Sequence, residues 1–298
     1  MFFASGLHAG EPGALAKPEG HNDKIAAYLE DSNPHLRQQA LQELAETGAA
    51  PYADRILKLL KDPDPDVRHA ALFTFMQLGD PKYADALVPF LEDDAAQVRG
   101  MAALALGDLG AKMYAAKIAP LLKDSSSMVR YQAATSLGRL EALEYITNLD
   151  ALLKDPSPKV RRVALFILRK LDRRELRADV KTLLGDEDVG VQMQAAFILA
   201  EWGDRAQIEF IANHVDYADS RIAQDAMIYL GDLKALPYAK LIAIHLKDDN
   251  ADIRGTAATA LAEMGAHQYQ RDIAKLQSDR DPKVQTRASQ AMHQLLGK

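Results

Sequence analysis

Apolar and polar positions along this chain of 298 residues recur with a period of 31 residues. The clearest marker is a branched apolar residue followed by arginine, as in Val67-Arg68, Val98-Arg99, Val129-Arg130 and Val160-Arg161. Nine markers keep the same frame without insertion or deletion; the others are Leu36, Val191, Ile222, Ile253 and Val284. A fixed period of this length indicates one supersecondary unit stacked on copies of itself. We therefore expect a repeat array, and the usual task of such an array is binding.

Each repeat begins with the pattern of an amphipathic helix, which we call helix A. Three residues before the marker stands Asn, Asp or Ser in every copy except Ala95, and such side chains cap helix N-termini. Pro34, Pro65, Pro158 and Pro282 follow this residue, at the first helical position, where a missing N–H is harmless. An alanine four residues after every marker and a large apolar residue eight after it form one apolar stripe at helical spacing.

A second helix, B, is predicted after a turn in each repeat. Twelve residues after five of the markers stands a glycine, where a helix often ends in left-handed geometry: Gly48, Gly79, Gly110, Gly203 and Gly265. Helix B then begins at a column of tyrosines and continues through leucine pairs such as Leu59-Leu60. Helices of about a dozen residues are marginal alone in water, so each must pack against its neighbours. The sequence predicts an all-α fold, an α-solenoid of antiparallel helix pairs.

We expect one solenoid domain over residues 22–298, with about eight full repeats. A lone B-type helix over residues 22–30 and a lone A-type helix over residues 282–296 are expected to cap its two ends. Residues 1–21, rich in glycine and proline, are expected to form a disordered leader in a cytoplasmic protein. The short apolar run at Met1–Leu7 leaves export to the periplasm as an alternative, as a truncated signal peptide.

Composition narrows the function classes. The net charge of −6 argues against a dedicated nucleic-acid-binding protein, whose surface would be basic. The chain has no cysteine, so it offers neither disulfides nor thiolate ligands.

The repeat consensus is Asp-x-x-x-x-Val-Arg-x-x-Ala, then Leu and Gly, then a helix that ends in Leu-Leu-Lys-Asp. It resembles the HEAT-like repeat of the phycobilisome-lyase type, and residues 62–72 match that repeat closely. The resemblance implies that a loop aspartate and the helix A arginine form a ladder of ion pairs between units. The ladder positions are Asp62, Arg68, Asp93, Arg99, Asp124, Arg130, Asp155, Arg161, Asp248 and Arg254. The pattern departs at Gln192 and again at Tyr217 and Ala223, which predicts a weaker or specialised joint between residues 186 and 248.

Relatives of this kind include bilin lyase subunits, a di-iron hydroxylase and DNA glycosylases, so the resemblance by itself allows an enzyme. None of the eight histidines precedes a glutamate, which is the dipeptide that the hydroxylase uses for iron. His214 and His245 lie one repeat apart in the same helix B column. Neighbouring helices are about 8–10 Å apart, whereas zinc ligands lie about 2 Å from the metal. We therefore expect no metal, no cofactor and no catalysis.

In HEAT solenoids helix B usually lines the concave face, so the candidate partner contacts lie on it. They are Lys58, Pro89, Pro120, Lys123, Lys154, Asn213, His214, Ile244 and His245. Pro89 and Pro120 are expected inside helix B, where proline removes a hydrogen bond and kinks the helix. The leading hypothesis is a non-catalytic scaffold for a protein or peptide. Its alternatives are an accessory subunit of a bilin-lyase-like enzyme and nucleic-acid binding through the basic segment 154–181. The sequence leaves the partner and the oligomeric state open.

Overall fold

The computed structural model describes residues 20–145 and 149–297, and in these ranges the predicted all-α solenoid class is confirmed. The helices alternate between type B (odd numbers) and type A (even numbers). Those of type A are α2 (Pro34–Thr47), α4 (Pro65–Leu78), α6 (Ala96–Asp108), α8 (Ser127–Arg139), α10 (Pro158–Lys170), α12 (Val189–Glu201), α14 (Ser220–Asp232), α16 (Ala251–Glu263) and α18 (Pro282–Leu295). Those of type B are α1 (His21–Ala27), α3 (Ala53–Leu59), α5 (Ala84–Leu87), α7 (Ala115–Ile118), α9 (Leu149–Leu153), α11 (Arg177–Thr182), α13 (Ala206–Ala212), α15 (Ala239–Ala243) and α17 (Gln270–Lys275).

The starts of the A helices follow from their capping residues. Six side chains accept a hydrogen bond from an amide of the first turn, and these belong to Asn33, Asp64, Asp188, Asp219, Asn250 and Asp281. Ser126 and Ser157 hold the same extended backbone without a side-chain bond, as does Ala95. The extended N-cap conformation is therefore a property of the repeat, and the side-chain bond adds to it where the residue allows.

The A helices end in left-handed geometry even where glycine is absent. Gly79 and Gly110 have φ of 65° and 66°. At the equivalent positions Glu141, Asp172 and Lys234 have φ of 51°, 48° and 52°. A side chain in this region costs roughly 1 kcal/mol relative to glycine. The turn between the helices is thus imposed by the packing of the pair, and glycine relieves a strain that three repeats retain.

The B helices are shorter than the sequence predicts. The helices α5 and α7 have four residues each and give way to the 3-10 segments Val88–Glu92 and Ala119–Lys123. Pro89 and Pro120 stand in the first two positions of these segments, so the expected position inside an α-helix is wrong. Repeats without proline also end this way, as at Leu183–Gly185 and Ile244–Lys247. The proline therefore fits a 3-10 turn that the repeat forms anyway.

The chain divides into two compact units, residues 1–146 and 147–298. In the first unit, a Cβ added to Gly107 in α6 would lie 2.8 Å from Cβ of Ser136 in α8. The Ser136 hydroxyl donates to the carbonyl of Ala103 at 2.7 Å. In the second unit, a Cβ on Gly231 in α14 would lie 3.1 Å from Cα of Ala260 in α16. Neighbouring A helices thus meet almost backbone to backbone in these places.

The alanine column is the centre of both units. All nine alanines that follow the markers are buried: Ala40, Ala71, Ala102, Ala133, Ala164, Ala195, Ala226, Ala257 and Ala288. The single domain over residues 22–298 stays a prediction, and nearly all of the predicted leader lies outside the described residues. Within the described ranges, none of the helices has the length and apolarity that a bilayer crossing requires.

Candidate functional site

Six of the nine A helices carry an arginine directly after the marker, and the loop before eight of them carries an aspartate at the ladder position. Arg68 in α4 donates from Nε to Asp93 Oδ2 at 2.8 Å and from Nη2 to Asp93 Oδ1 at 2.7 Å. Its Nη1 donates to two carbonyls of its own loop, Asp62 O at 2.9 Å and Pro63 O at 3.2 Å. One guanidinium therefore ties its own loop to the loop of the next repeat. We call this arrangement a rung.

The same arrangement recurs along both units, with one variation: Arg161 uses Nη2 for both Asp186 Oδ1 and Glu187 Oε1 in place of the Nε and Nη2 pair. Rungs join Arg37 to Asp62, Arg99 to Asp124, Arg161 to Asp186 and Arg254 to Asp279. Arg130 donates to the carbonyls of Asp124 and Ser125, and Asp155 Oδ1 accepts the amide of Ser157. In the five rungs the carboxylates are only 5–9% exposed and the arginine side chains 6–17% exposed. Planar, paired hydrogen bonds of this kind suit a nearly buried ion pair.

Three rung carboxylates, those of Asp93, Asp124 and Asp279, have lowered pKa values. The hydrogen bond from Arg254 holds the pKa of Asp279 below its usual value. Burial alone would raise the pKa of Asp93, but hydrogen bonds from Arg68 and from the amide of Ala95 outweigh it, and the pKa is lowered. The ionised carboxylate is thus the form that the folded ladder binds.

Two successive rungs are absent between residues 186 and 248. Gln192 reaches only its own loop, where Nε2 donates to Asp186 O at 2.5 Å. The residue 25 positions further on is Tyr217, which carries no carboxylate. In the next repeat Ala223 stands at the arginine position, although Asp248 keeps the carboxylate that this arginine would bind. The first of these positions thus lacks both the arginine and the aspartate, and the second lacks only the arginine.

The carboxylate of Asp248 behaves differently from those in the rungs. Its side chain is 33% exposed, against 5–9% for the rung aspartates. His245 Nδ1 lies 3.5 Å from Asp248 Oδ2, and His245 Nε2 lies 3.0 Å from Asp216 Oδ1. The second contact has ion-pair distance without hydrogen-bond alignment. The imidazole of His245 thus lies between two carboxylates, one of which is the aspartate whose rung arginine is absent.

Aromatic rings adjoin this place. The rings of Phe210 and His214 have centroids 4.7 Å apart, and those of His214 and Tyr217 are 5.4 Å apart. His214 Nδ1 is 2.9 Å from the carbonyl of Phe210, and Tyr217 is 42% exposed. Over residues 20–145 and 149–297, no three histidine, aspartate or glutamate side chains are placed to ligate a metal ion.

The predicted partner contacts on helix B lie at the surface. Lys58, Pro89, Pro120 and Lys123 are exposed in the first unit, and Lys154, Asn213 and Ile244 are exposed in the second. Ile244 is 67% exposed, which is unusual for a large aliphatic side chain. His214 and His245 are half-buried. The residue 22 positions after each of the first eight markers is exposed, and we call these eight residues the B row: Lys58, Pro89, Pro120, Ala151, Thr182, Asn213, Ile244 and Lys275.

A family model described as HEAT repeats matches residues 22–106, 86–154 and 146–231. The chain belongs to the HEAT-repeat family. Among solved structures this HEAT-repeat chain is similar to Kap121p, at 14% identity over 92% of this chain and 39% of that chain, with a TM-score of 0.67. It is also similar to the complex of CpcE and CpcF of phycocyanin lyase from Nostoc sp. PCC7120, at 19% identity over 96% of this chain and 98% of that chain, with a TM-score of 0.44. No curated protein matches the sequence.

The basic segment 154–181 of the HEAT array is largely neutralised. Its side chains contact acidic or carbonyl partners: Lys154 with Asp179, Arg161 with Asp186, Arg162 with Asp225, Arg169 with Glu201, Arg173 with Glu175, Arg174 with Asp172, Arg177 with Trp202 O and Lys181 with Asp204. Phosphate binding requires cationic groups that are free to approach the backbone of the nucleic acid. The segment therefore gives little support to the nucleic-acid alternative.

Sequence reasoning noticed Tyr217 and Ala223 as departures but missed the role of Asp216. It also assigned His245 to the partner surface and did not connect it with the ladder. A signal was available, because His245 and Asp248 are three residues apart in one short helical segment, where side chains meet. The approach of Asp216 from the preceding repeat follows only from the packed structure.

Proposed function

We propose that the protein is a non-catalytic HEAT-repeat scaffold that binds a protein or peptide partner along its helix B face. The observation that carries the proposal is the B row, which presents an exposed side chain once per repeat. Within each unit the row repeats from one module to the next, which suits an extended partner because equivalent contacts recur along it. The compartment, cytoplasmic by the sequence analysis, stays part of this proposal.

The chemistry of the row supports a protein partner. Pro89, Pro120 and Ile244 place apolar surface in the same column as Lys58, and Lys123 follows Pro120 by three residues. Exposed apolar groups bordered by polar ones are typical of surfaces that contact protein. Buried apolar anchors with a charged rim are what give such interfaces affinity and orientation.

Charge reversal on the helix B face tests the proposal. The variant carries Lys58→Glu, Lys123→Glu and Lys154→Glu. All three lysines are exposed; Lys58 lies in α3 and the B row, Lys123 ends the 3-10 segment after α7, and Lys154 directly follows α9. A matched control carries Lys112→Glu, Lys159→Glu and Lys283→Glu, which change the net charge equally at exposed positions away from the B row. In quantitative affinity purification from the source cells, we expect the first variant to lose partners that the parent and the control retain. Equal recovery by both variants would contradict binding at this face.

A further inference from the structure

The rungs show which atoms of this chain hold a guanidinium. In every rung the acceptors are the carboxylate 25 residues after the arginine and the carbonyls six and five residues before it. Counted from Ala223, these groups are the Asp248 carboxylate and the carbonyls of Tyr217 and Ala218. We call these three groups the acceptor set.

The backbone of Asp248 has the conformation of the aspartate in a complete rung. Asp248 has φ −60° and ψ 149°, and Asp93 in a complete rung has φ −62° and ψ 146°. Asp248 Oδ1 accepts the amide of Asn250 at 2.8 Å, as Asp93 Oδ1 accepts that of Ala95 at 2.9 Å. The aspartate loop has therefore kept the rung geometry although the arginine has been replaced.

The two carbonyls of the acceptor set can take a new donor directly, whereas Asp248 first has to lose its contact with His245. In the described part of the chain, no hydrogen bond reaches the carbonyl of Tyr217 or of Ala218. The Asp248 side chain is 33% exposed, and the arginines in complete rungs retain 6–17% exposure, so the guanidinium position lies just below the surface. A side chain from another molecule can reach that depth.

The surroundings favour a cation with a flat face. Tyr217 is 42% exposed, and the Asp216 side chain is 72% exposed. An aromatic ring attracts a guanidinium above its face, and an exposed carboxylate adds long-range attraction. Because lysine has no planar fork, it cannot satisfy a carboxylate and two carbonyls in the same way.

We infer that the acceptor set binds an arginine side chain supplied by the protein partner, which completes the ladder in trans. The inference rests on the proposed function for the existence of a partner. The arginine donates to both oxygens of Asp248 and to the carbonyls of Tyr217 and Ala218, and it displaces the imidazole of His245 from Asp248. The partner is therefore joined to the place where the array lacks its own guanidinium.

The test uses small probes with the full-length protein. N-acetyl-arginine N-methylamide is titrated into isotope-labelled protein, and amide chemical shifts are followed by NMR. The lysine and citrulline analogues serve as controls, since the first keeps the charge and the second keeps the shape. We expect saturable shifts at residues 217–219 and 248–250, with binding at least about tenfold weaker for lysine and no saturable shifts with citrulline.

Two variants locate the site. Ala223→Arg supplies the guanidinium from within the chain and should abolish binding of the arginine probe. Asp248→Asn keeps the size of the side chain, removes its charge and should weaken binding by about tenfold or more. The inference is overturned if arginine and citrulline shift the same amides equally, or if Asp248→Asn binds the arginine probe as the parent does.

The outcomes separate this inference from the proposed function. If the arginine probe fails while charge reversal on the helix B face still removes partners, only the trans rung is wrong. If the probe binds while charge reversal changes no partner, only the helix B face is wrong as the docking surface.

Discussion

The loops at Asp62, Asp93 and Asp124 and those at Asp186, Tyr217 and Asp248 share one fold but differ in their ion pairs. In the first set, each arginine binds two loops. In the second set, Gln192 binds one loop and Ala223 binds none. The helices α12 and α14 still form and bury their apolar stripes. Apolar burial therefore makes the repeat, and the ladder adds to a structure that exists without it.

The way in which the two rungs were lost follows the energetics of buried charge. Removal of one partner leaves an uncompensated charge and costs about 3–5 kcal/mol, whereas replacement of both can be neutral. Gln192 and Tyr217 replace both partners. Asp248 remains without its arginine, but its carboxylate is 33% exposed and is hydrated instead of buried. The second loss is thus tolerated through exposure.

Acid should produce the largest difference in stability between the helices joined by rungs and α14, because it acts on all rungs at once. Rung aspartates such as Asp93 and Asp124 have lowered pKa values, so their contribution to stability is complete above the unfolded value of about 3.9 and is lost as the pH falls below it. In α14, burial raises the pKa of Asp225 and of Asp232. That helix should gain stability as the pH falls through these raised values.

Hydrogen exchange followed by mass spectrometry, with correction for the intrinsic exchange rate, measures both effects. As the pH falls from neutral towards the ordinary aspartate pKa of about 3.9, we expect unchanged protection in α4 and α6 and rising protection in α14. Below about pH 4 the protection of α4 and α6 should fall. A uniform loss of protection in the three helices would show that the ladder does not distinguish these regions.

The next largest change in stability should come from the loss of a single arginine from a complete rung. Arg68→Ala leaves the carboxylate of Asp93, 9% exposed, without its partner and should cost about 3 kcal/mol of unfolding free energy. Urea denaturation of the parent and the variant gives this difference. The control is Arg221→Ala, which removes an 86% exposed partner of Asp219 and should cost less than about 1 kcal/mol. Similar losses for the two variants would remove the distinction between rungs and surface pairs.

Restoration of the missing arginine should raise the free energy of unfolding, by less than the loss of Arg68 lowers it. Ala223→Arg completes the rung to Asp248 and should stabilise the protein by about 1 kcal/mol, the usual net value of new hydrogen bonds. Slower hydrogen exchange at residues 217–223 and 248–254 would locate the gain. Ala223→Lys is the control, since it adds the charge without the fork. An equal gain from lysine would attribute the effect to charge alone.

The smallest expected change in stability comes from backbone strain at the end of α14, which does not involve the ladder. Lys234 ends α14 with φ of 52°, and its amine binds Glu263 at 3.0 Å. Lys234→Gly relieves the strain and loses an exposed ion pair, so we expect a net gain of about 0.5 kcal/mol. The stability of Lys234→Asn should lie between those of the parent and of Lys234→Gly, because asparagine tolerates left-handed backbone better than lysine does. A loss in thermal denaturation midpoint for glycine would show that the ion pair outweighs the strain.

Most of the fold could be predicted from the sequence, because each repeat carries the same signals for the start and end of its helices. Asp64 and Pro65 mark the start of α4, and Gly79 follows its end, as the structure shows. The length of helix B was less accessible, because a 3-10 turn satisfies the same leucine spacing as the last turn of an α-helix. Pro89 was therefore assigned to a kinked α-helix, whereas it lies in a 3-10 segment.

The candidate site was accessible only in part. The absence of arginine at Ala223 and of aspartate at Tyr217 can be read from the 31-residue frame. The exposure of Asp248 and the position of His245 between two carboxylates depend on how side chains settle around the missing group. The repeat frame predicts which residue is replaced, whereas the contacts and the exposure of the remaining side chains depend on how the helices pack.

The reach of a rung, 25 residues from Arg68 to Asp93, lies within one 31-residue period. Excision of residues 94–124 would join Asp93 to Ser125 and leave every remaining arginine at its proper distance from an aspartate. Deletion of only part of a module would put the arginine and the aspartate on either side of the cut out of register. A change of length that keeps the ladder in register is therefore one of whole modules, and each added module carries its own arginine and aspartate.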